Sequence, residues 1–173
     1  MPMTLSAAAQ APTLKLEQDR DGPAVETLLD HAFGPGRFTK VSERVREIAE
    51  FRQDLSFCAW DGVRLVGCVR MTRISIGGAQ AVFLGPLAVE ADVRKFGTGG
   101  ALVQAACAAA QVAGFANVLL VGDEPYFGRF GFSAAPAKAV RLPGPVDQRR
   151  VLVKPLREGG TEGLEGLVAA PLT

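Results

Sequence analysis

The chain has 173 residues and carries 19 Lys and Arg against 18 Asp and Glu, a formal net charge of +1. There is therefore no global basic field for nucleic acid or a membrane surface, and any cationic site must be local. Hydrophobic residues make up 48% and charged residues 21%, which excludes a disordered chain and suits one globular domain with a sizeable core.

Residues 1–12 read as a flexible tail. Met1-Pro2-Met3-Thr4-Leu5 has neither a basic start nor a long apolar run, so no signal peptide is expected and the protein is placed in the cytoplasm. Cys58, Cys68 and Cys107 are odd in number and widely spaced. They point to small buried hydrophobes in a reducing compartment rather than to disulfides or a zinc site. Thr13-Leu14-Lys15-Leu16-Glu17 alternates as a first strand would. Asp21-Gly22-Pro23 opens a helix that Val25, Leu28, Leu29 and Ala32 carry to Phe33, and Gly34-Pro35-Gly36 ends it. A second amphipathic helix, about 38–50, follows through Val41, Val45 and Ile48.

Extended segments come next. Residues 55–60 form a strand, Asp61-Gly62 a hairpin turn, residues 64–76 a long alternating strand, and Gly77-Gly78 a second turn. Residues 81–89 are almost continuously apolar, the mark of a strand buried on both faces. Gly85-Pro86 lies within it, and proline cannot donate to a ladder, so the strand should bulge or bend there. Residues 98–113 are alanine-rich and closed by Gly114, the clearest helix in the sequence. Residues 118–121 form the next strand. A strand, an uncharged helix and a strand make a crossover, so these two strands should be parallel. The stretch from Phe96 to Gly122 carries no charge and could pass for a membrane span on length. However, Gly97, Gly99, Gly100 and Gly114 break it, and it reads as turn, helix, turn and strand. Residues 125–131 are a short aromatic helix or turn, 138–141 and 149–153 late polar-edged strands, and 157–173 a glycine-rich C-terminal extension.

Arg94-Lys95-Phe96-Gly97-Thr98-Gly99-Gly100 puts three glycines and two cations where a strand has ended and a long helix begins. A helix N-terminus offers free N–H groups and about half a positive charge, and glycines admit a phosphate close to the backbone. A Walker loop is excluded because no lysine follows Gly99 or Gly100. A Rossmann fingerprint is excluded because its third glycine would fall at Leu102. The third reading is an acetyl-CoA pyrophosphate loop, with a purely structural turn as the competing one.

The run Leu84-Gly85-Pro86-Leu87-Ala88-Val89-Glu90, then Arg94-x-x-Gly97-x-Gly99 and Ala101-Leu102, resembles motif A of the GNAT acetyltransferase superfamily. Val118-Leu119-Leu120-Val121-Gly122-Asp123-Glu124-Pro125-Tyr126-Phe127-Gly128-Arg129-Phe130-Gly131-Phe132 and Gly163-Leu164-Glu165-Gly166-Leu167-Val168 are similar to its YhbS-like bacterial branch. The resemblance implies an α/β (α+β) fold: a mixed, mostly antiparallel twisted sheet of six to seven strands with a splayed parallel pair, flanked by about four helices. The domain would run over 13–156, with 157–173 packed on it.

The resemblance also implies an acetyl-CoA-dependent N-acetyltransferase without a metal, in which a primary amine attacks the thioester directly in a ternary complex. A catalytically silent or longer-acyl CoA-binding module is the alternative. The pantetheine arm would pair with main chain at Leu87, Ala88 and Val89, and a backbone N–H of Leu87 or Ala88 would face the oxyanion. The pyrophosphate would bind amides from Phe96 through Gly97, Thr98, Gly99 and Gly100, beside Arg94 and Lys95. Many members carry a tyrosine four residues before the Gly131-Phe132 pair as the acid that protonates the thiolate. Here that position is Phe127, and its neighbour Tyr126 is the candidate acid, with packing or a cofactor contact as its other reading. Asp123 and Glu124, and Glu90 on the other strand, are candidate bases that capping or solvation would equally explain. His31 and the Arg149-Arg150 pair read as surface residues. The acceptor would be a small-molecule or peptide amine, chosen by the loop at 34–40, the hairpin at 77–80 and the C-terminal strands. No nucleic acid or membrane partner is expected, and the chain would be a monomer or homodimer.

Overall fold

Two long strands form the spine. β4 (Arg64–Ile76) and β5 (Ala79–Val89) are joined by the Gly77-Gly78 turn and pair antiparallel from Ile76↔Ala79 to Gly67↔Val89. The structure, a computed structural model, describes residues 10–172. Outward from this hairpin the sheet runs β1 (Thr13–Leu16), β3 (Phe57–Asp61), β4, β5, β6 (Asn117–Val121) and β8 (Val151–Pro155). Three short strands lie off that path: β2 (Glu50–Phe51) on β4, and β9 (Gly166–Ala169) between β4 and β7 (Val140–Arg141). The expected six to seven strands thus match the principal path, and two- to four-residue additions bring the total among the described residues to nine. The expected 1–12 tail falls largely outside the described residues.

Helices cover both faces. α1 (Gly22–Phe33) and α2 (Val41–Ile48) lie on one, α3 (Thr98–Val112) on the other, and α4 (Glu124–Phe127) caps the end of β6. Val25, Leu28 and Leu29 of α1 pack on Cys58, Cys68 and Ala88. Val41 and Val45 of α2 pack with Ile74, Phe83 and Leu119. Leu102, Val103, Ala106 and Ala110 of α3 pack on Val69, Met71, Leu84 and Leu120. Burial on both faces explains a departure from the sequence reading. β4 does not alternate between core and solvent, because each face has its own helix layer. The late strand at 149–153 also differs: β8 begins at Val151, and Val151, Leu152 and Val153 are fully buried rather than polar-edged. α3 stops where predicted. The amides of Gly114 and Phe115 bond the carbonyls of Gln111 and Ala110, satisfying the helix end.

A polar chain runs through the α1 face. Arg70 is nearly buried and gives Nε and Nη2 to Glu17 at 3.0 and 3.2 Å and Nη1 to Glu26 at 2.7 Å. The second oxygen of Glu26 takes Nη2 of Arg37 at 2.6 Å. Arg37, 3% exposed, also bonds Asp30 at 2.9 Å and Glu43 at 3.0 Å. Burial acts to raise the Glu26 carboxyl, but hydrogen bonds from Arg70 and Arg37 outweigh it and hold the group below the usual carboxylate range. Removing one partner of such a pair strands the other charge, which costs more than the pair contributes net. Arg70→Leu should therefore lose about 3–5 kcal/mol in urea unfolding. Glu17→Leu added to it should restore part of the loss, because Glu17 is then no longer an unpaired buried charge.

Candidate active site

β5 and β6 run parallel, but only Val82↔Val118 and Phe83↔Leu119 pair. Beyond them the strands separate. The cause lies in β5, where Pro86 has no N–H to give, Gly85 has φ 149°, and the register on β4 skips between Val69 and Met71. The bulge predicted from proline is present and marks the start of the opening. Ladder alternation then sets the chemistry of the free edge. Glu90 N–H bonds Val66 O at 2.8 Å, so the 90 and 88 positions turn their polar groups toward β4. Leu87 and Val89 consequently turn theirs into the gap. Of the expected main-chain trio, Ala88 is committed to Cys68 across the ladder, and of the two expected oxyanion donors Leu87 is the one that faces outward.

A cavity of about 780 Å³ fills the gap toward α3. Its cations are Arg94, Lys95 and Arg129, and among the described residues no carboxylate lines it. Arg94 Nε bonds Val89 O at 3.2 Å, which ties the loop to the open strand edge. Thr98 is buried with its hydroxyl on Val93 O at 3.0 Å, fixing the start of α3. Among the described residues the amides of Thr98, Gly99 and Gly100 have no backbone or side-chain acceptor. Gly97 differs from expectation, because its N–H is used on Arg94 O at 3.0 Å. Phe96 packs partly into the core with Lys95 Nζ 5.2 Å from its ring centroid.

The glycines at 99 and 100 have a second cause. A Cβ on Gly99 would lie 2.8 Å from the Tyr126 hydroxyl, and one on Gly100 would lie 2.7 Å from the Phe130 ring. The aromatic turn after β6 therefore leans on the helix N-terminus itself. Tyr126 meets Phe127 and Phe130 edge-on at 4.8 and 5.7 Å, and the Arg129 guanidinium lies 4.6 Å from the Tyr126 ring centroid. The Tyr126 hydroxyl stands at the α3 end of the cavity. Arg129 is a site cation that the sequence reading does not include. Its position three residues after Tyr126 in a short helical segment is the signal that could have disclosed it.

A second cavity, about 430 Å³, opens on the other side of the bulge. Phe33, Leu87 and Phe127 line both cavities and form an apolar collar between them. Asp123 lines the second cavity, with Oδ1 3.3 Å from Arg150 Nε. Arg150 is thus a wall residue rather than a plain surface cation, and Lys40 joins it from the α1–α2 turn. The Asp123 side chain makes no capping bond; its carbonyl instead takes the amides of Tyr126 and Phe127. Glu124 lines neither cavity, and its Oε2 accepts from Ala134 N–H at 2.6 Å. Glu90 Oε1 lies 3.1 Å from His31 Nδ1, a pairing across 59 residues that sequence could not disclose. The expected selectivity hairpin at 77–80 lies elsewhere, on a separate cavity with the C-terminal turn.

A sheet split beside an amide-bearing helix start, with cations on one side and a second cavity beyond, suits an anionic ligand that leads from one cavity toward the other. The sequence profile described as "Acetyltransferase (GNAT) family" matches residues 23–132, and the chain belongs to that family. It is 26% identical to the uncharacterised N-acetyltransferase YhbS of Escherichia coli K12 over 157 residues, covering 90% of this chain and 93% of that protein. The fold is similar to the crystal structure of E. coli YhbS in complex with CoA, at a TM-score of 0.78 and 24% identity, covering 96% of this chain and 93% of that one. It is also similar to a GNAT acetyltransferase from Brucella melitensis in complex with acetyl-CoA, at a TM-score of 0.67 and 22% identity over 91% and 94% of the two chains. Among the described residues no helix is long and apolar enough to cross a membrane.

The thiols are set apart from this chemistry. Burial pushes Cys58 and Cys68 up to about 12 and Cys107 up to about 11. All three should resist a thiol reagent at pH 8 in the native protein and react at once in urea. These groups favour folding below the unfolded thiol value of about 8.5, and that contribution is lost as pH rises from there toward 11–12. The urea midpoint should therefore fall between about pH 8 and 10.5 in the wild type and fall less in a triple Cys→Ala variant. Equal falls in the two proteins would contradict this.

Proposed function

We propose that this chain transfers an acetyl group from acetyl-CoA to a primary amine in a ternary complex. The observation that carries the proposal is the cavity at the start of α3, which gathers three cations, no carboxylate among the described residues and uncommitted amides, and which leads along the unpaired edge of β5. A diphosphate would sit on the amides of Thr98, Gly99 and Gly100, flanked by Arg94, Lys95 and Arg129. The pantetheine arm would run along Leu87 and Val89 as an added strand, and the thioester would reach the collar. There the Leu87 N–H faces the developing oxyanion. The attacking amine nitrogen forms a bond to the acyl carbon as the carbon–sulfur bond breaks, and the sulfur leaves as thiolate. Asp123, the carboxylate of the second cavity with an oxygen free of hydrogen bonds, would receive the amine proton, directly or through water. The Tyr126 hydroxyl beside Gly99 supports a cofactor contact in preference to protonation of the thiolate.

One observation favours a second reading. Among the described residues no titratable side chain lines both cavities, so a catalytically silent CoA-binding module is the alternative, and the 430 Å³ cavity beyond the collar also offers room for a longer acyl group. Release of thiol from acetyl-CoA across an amine panel separates these readings. Tight CoA binding with no turnover on any amine rejects the transferase. Preference for butyryl- or hexanoyl-CoA over acetyl-CoA rejects acetyl specificity. Cytoplasmic placement is carried over as part of the same proposal.

The cradle has its own test. Gly97 has φ 70° and open space where a Cβ would stand, so a side chain there costs about 1–2 kcal/mol of backbone strain without a clash. Gly97→Glu should weaken CoA binding at least 100-fold by calorimetry, while Gly97→Ala, with the same strain and no charge, should lose less than tenfold. Equal affinity in the two variants would refute the cradle.

A further inference from the structure

We infer that the acceptor is an amine that also bears a carboxylate and an apolar side chain, as a free hydrophobic amino acid does. The inference rests on the transferase reading for the reaction but on separate residues for the recognition. The floor of the 430 Å³ cavity is apolar, with Phe83, Val121 and Val146 on the α2 face of the sheet. Its rim is charged, and most of that charge is already committed. Arg37 spends all three guanidinium nitrogens on Glu26, Asp30 and Glu43. Glu43 also receives Arg46. Both oxygens of Asp147 are held by Arg149.

Two cations remain with bonding capacity. Among the described residues Lys40 Nζ has no carboxylate partner, and it lies 4.3 Å from the Phe33 ring centroid. Arg150 Nε lies 3.3 Å from Asp123 Oδ1 as an ion pair, leaving the other edge of its fork open. They stand on different elements, Lys40 ahead of α2 and Arg150 ahead of β8, and both line the cavity. An acceptor with only positive charge, such as a polyamine, would meet this pair unfavourably and find Asp123 as its one carboxylate with an oxygen free of hydrogen bonds. A zwitterion satisfies all parties. Its carboxylate takes Lys40 and the free edge of Arg150, its amine turns to Asp123 and the collar, and its side chain covers the apolar floor. The volume accommodates a single amino acid of the size of leucine or phenylalanine.

The test is calorimetry on the CoA-saturated protein with three product probes: N-acetyl-L-phenylalanine, N-acetylphenethylamine, which lacks only the carboxylate, and N1-acetylspermidine. The first should bind at least tenfold more tightly than the second, and the third least. Lys40→Gln and Arg150→Gln should each reduce the ratio of the first two by about tenfold. Equal affinity for the first two probes, or tightest binding of the spermidine derivative, overturns the inference. Thiol release with L-phenylalanine is measured in parallel. Selective product binding without turnover keeps the pocket assignment and removes the transferase reading, whereas turnover confined to amines without a carboxylate overturns the assignment and keeps the transferase.

Discussion

The structure depends on a pairing that stops. β5 and β6 are held side by side by the core at Val82 and Phe83 and then part, although both continue toward the same end of the sheet. Parallel strands ordinarily satisfy each other along their whole length, and unpaired main chain is costly when water is excluded. Here Gly85-Pro86 removes one donor and shifts the register on β4, so the ladder cannot simply extend to β6. The opening is kept from collapsing by the elements on either side, since α3 packs under β4 and β5 through Leu102 and Val103, and the aromatic turn 126–130 wedges against Gly99 and Gly100. A sheet defect therefore leaves two sets of unsatisfied groups close together: the edge of β5 and the start of α3.

The other wall is fixed by charge. Arg70 is the β4 residue at the register skip opposite Gly85-Pro86, and its guanidinium reaches Glu17 and Glu26. Glu26 passes the connection to Arg37, and Arg37 to the start of α2 through Glu43. The end of α1 and the turn after it, which contribute Phe33 and Lys40 to the second cavity, are thus linked through salt bridges to the strand defect that opens the first. Apolar side chains of similar volume could give as much stability. They would not fix a short irregular segment in one arrangement, because hydrophobic contacts have no direction, whereas Arg37 must meet three carboxylates at once.

Sequence made the loop at the start of α3 legible and left the second cavity mostly dark, and the reason is range. Gly97, Gly99, Gly100 and the proline at 86 act locally: each constrains the backbone at its own position, so its meaning survives without a fold. The helix from Thr98 and its closure at Gly114 are likewise local. The charged wall of the second cavity is assembled from Lys40, Asp123 and Arg150, which lie far apart in the chain, and no periodicity connects them. The same holds for His31 and Glu90. Where sequence misjudged a local feature, tertiary burial was the cause. β8 looked polar-edged because Arg149 and Arg150 precede it, yet its own residues are core, and β4 looked half-exposed because Arg70 and Arg73 interrupt it, yet Arg70 is itself buried in a salt-bridge chain.

The apolar collar carries a consequence for the proposed chemistry. Phe33, Leu87 and Phe127 place no acid or base at the point where thioester and amine would meet, so proton traffic has to be separated from bond formation. That separation is chemically reasonable. A thiolate is stable enough to leave unprotonated, and a dry junction strengthens a single main-chain donor aimed at the oxyanion while excluding the water that would hydrolyse the thioester. The amine, by contrast, must shed its proton before or during attack, and Asp123 lies on its side of the collar, not on the cofactor's. Phe127 then has a positive role, since its ring packs against Gly122 and seals the gap between β6 and the aromatic turn. A hydroxyl at that position would sit among apolar neighbours unless the thiolate itself were its partner.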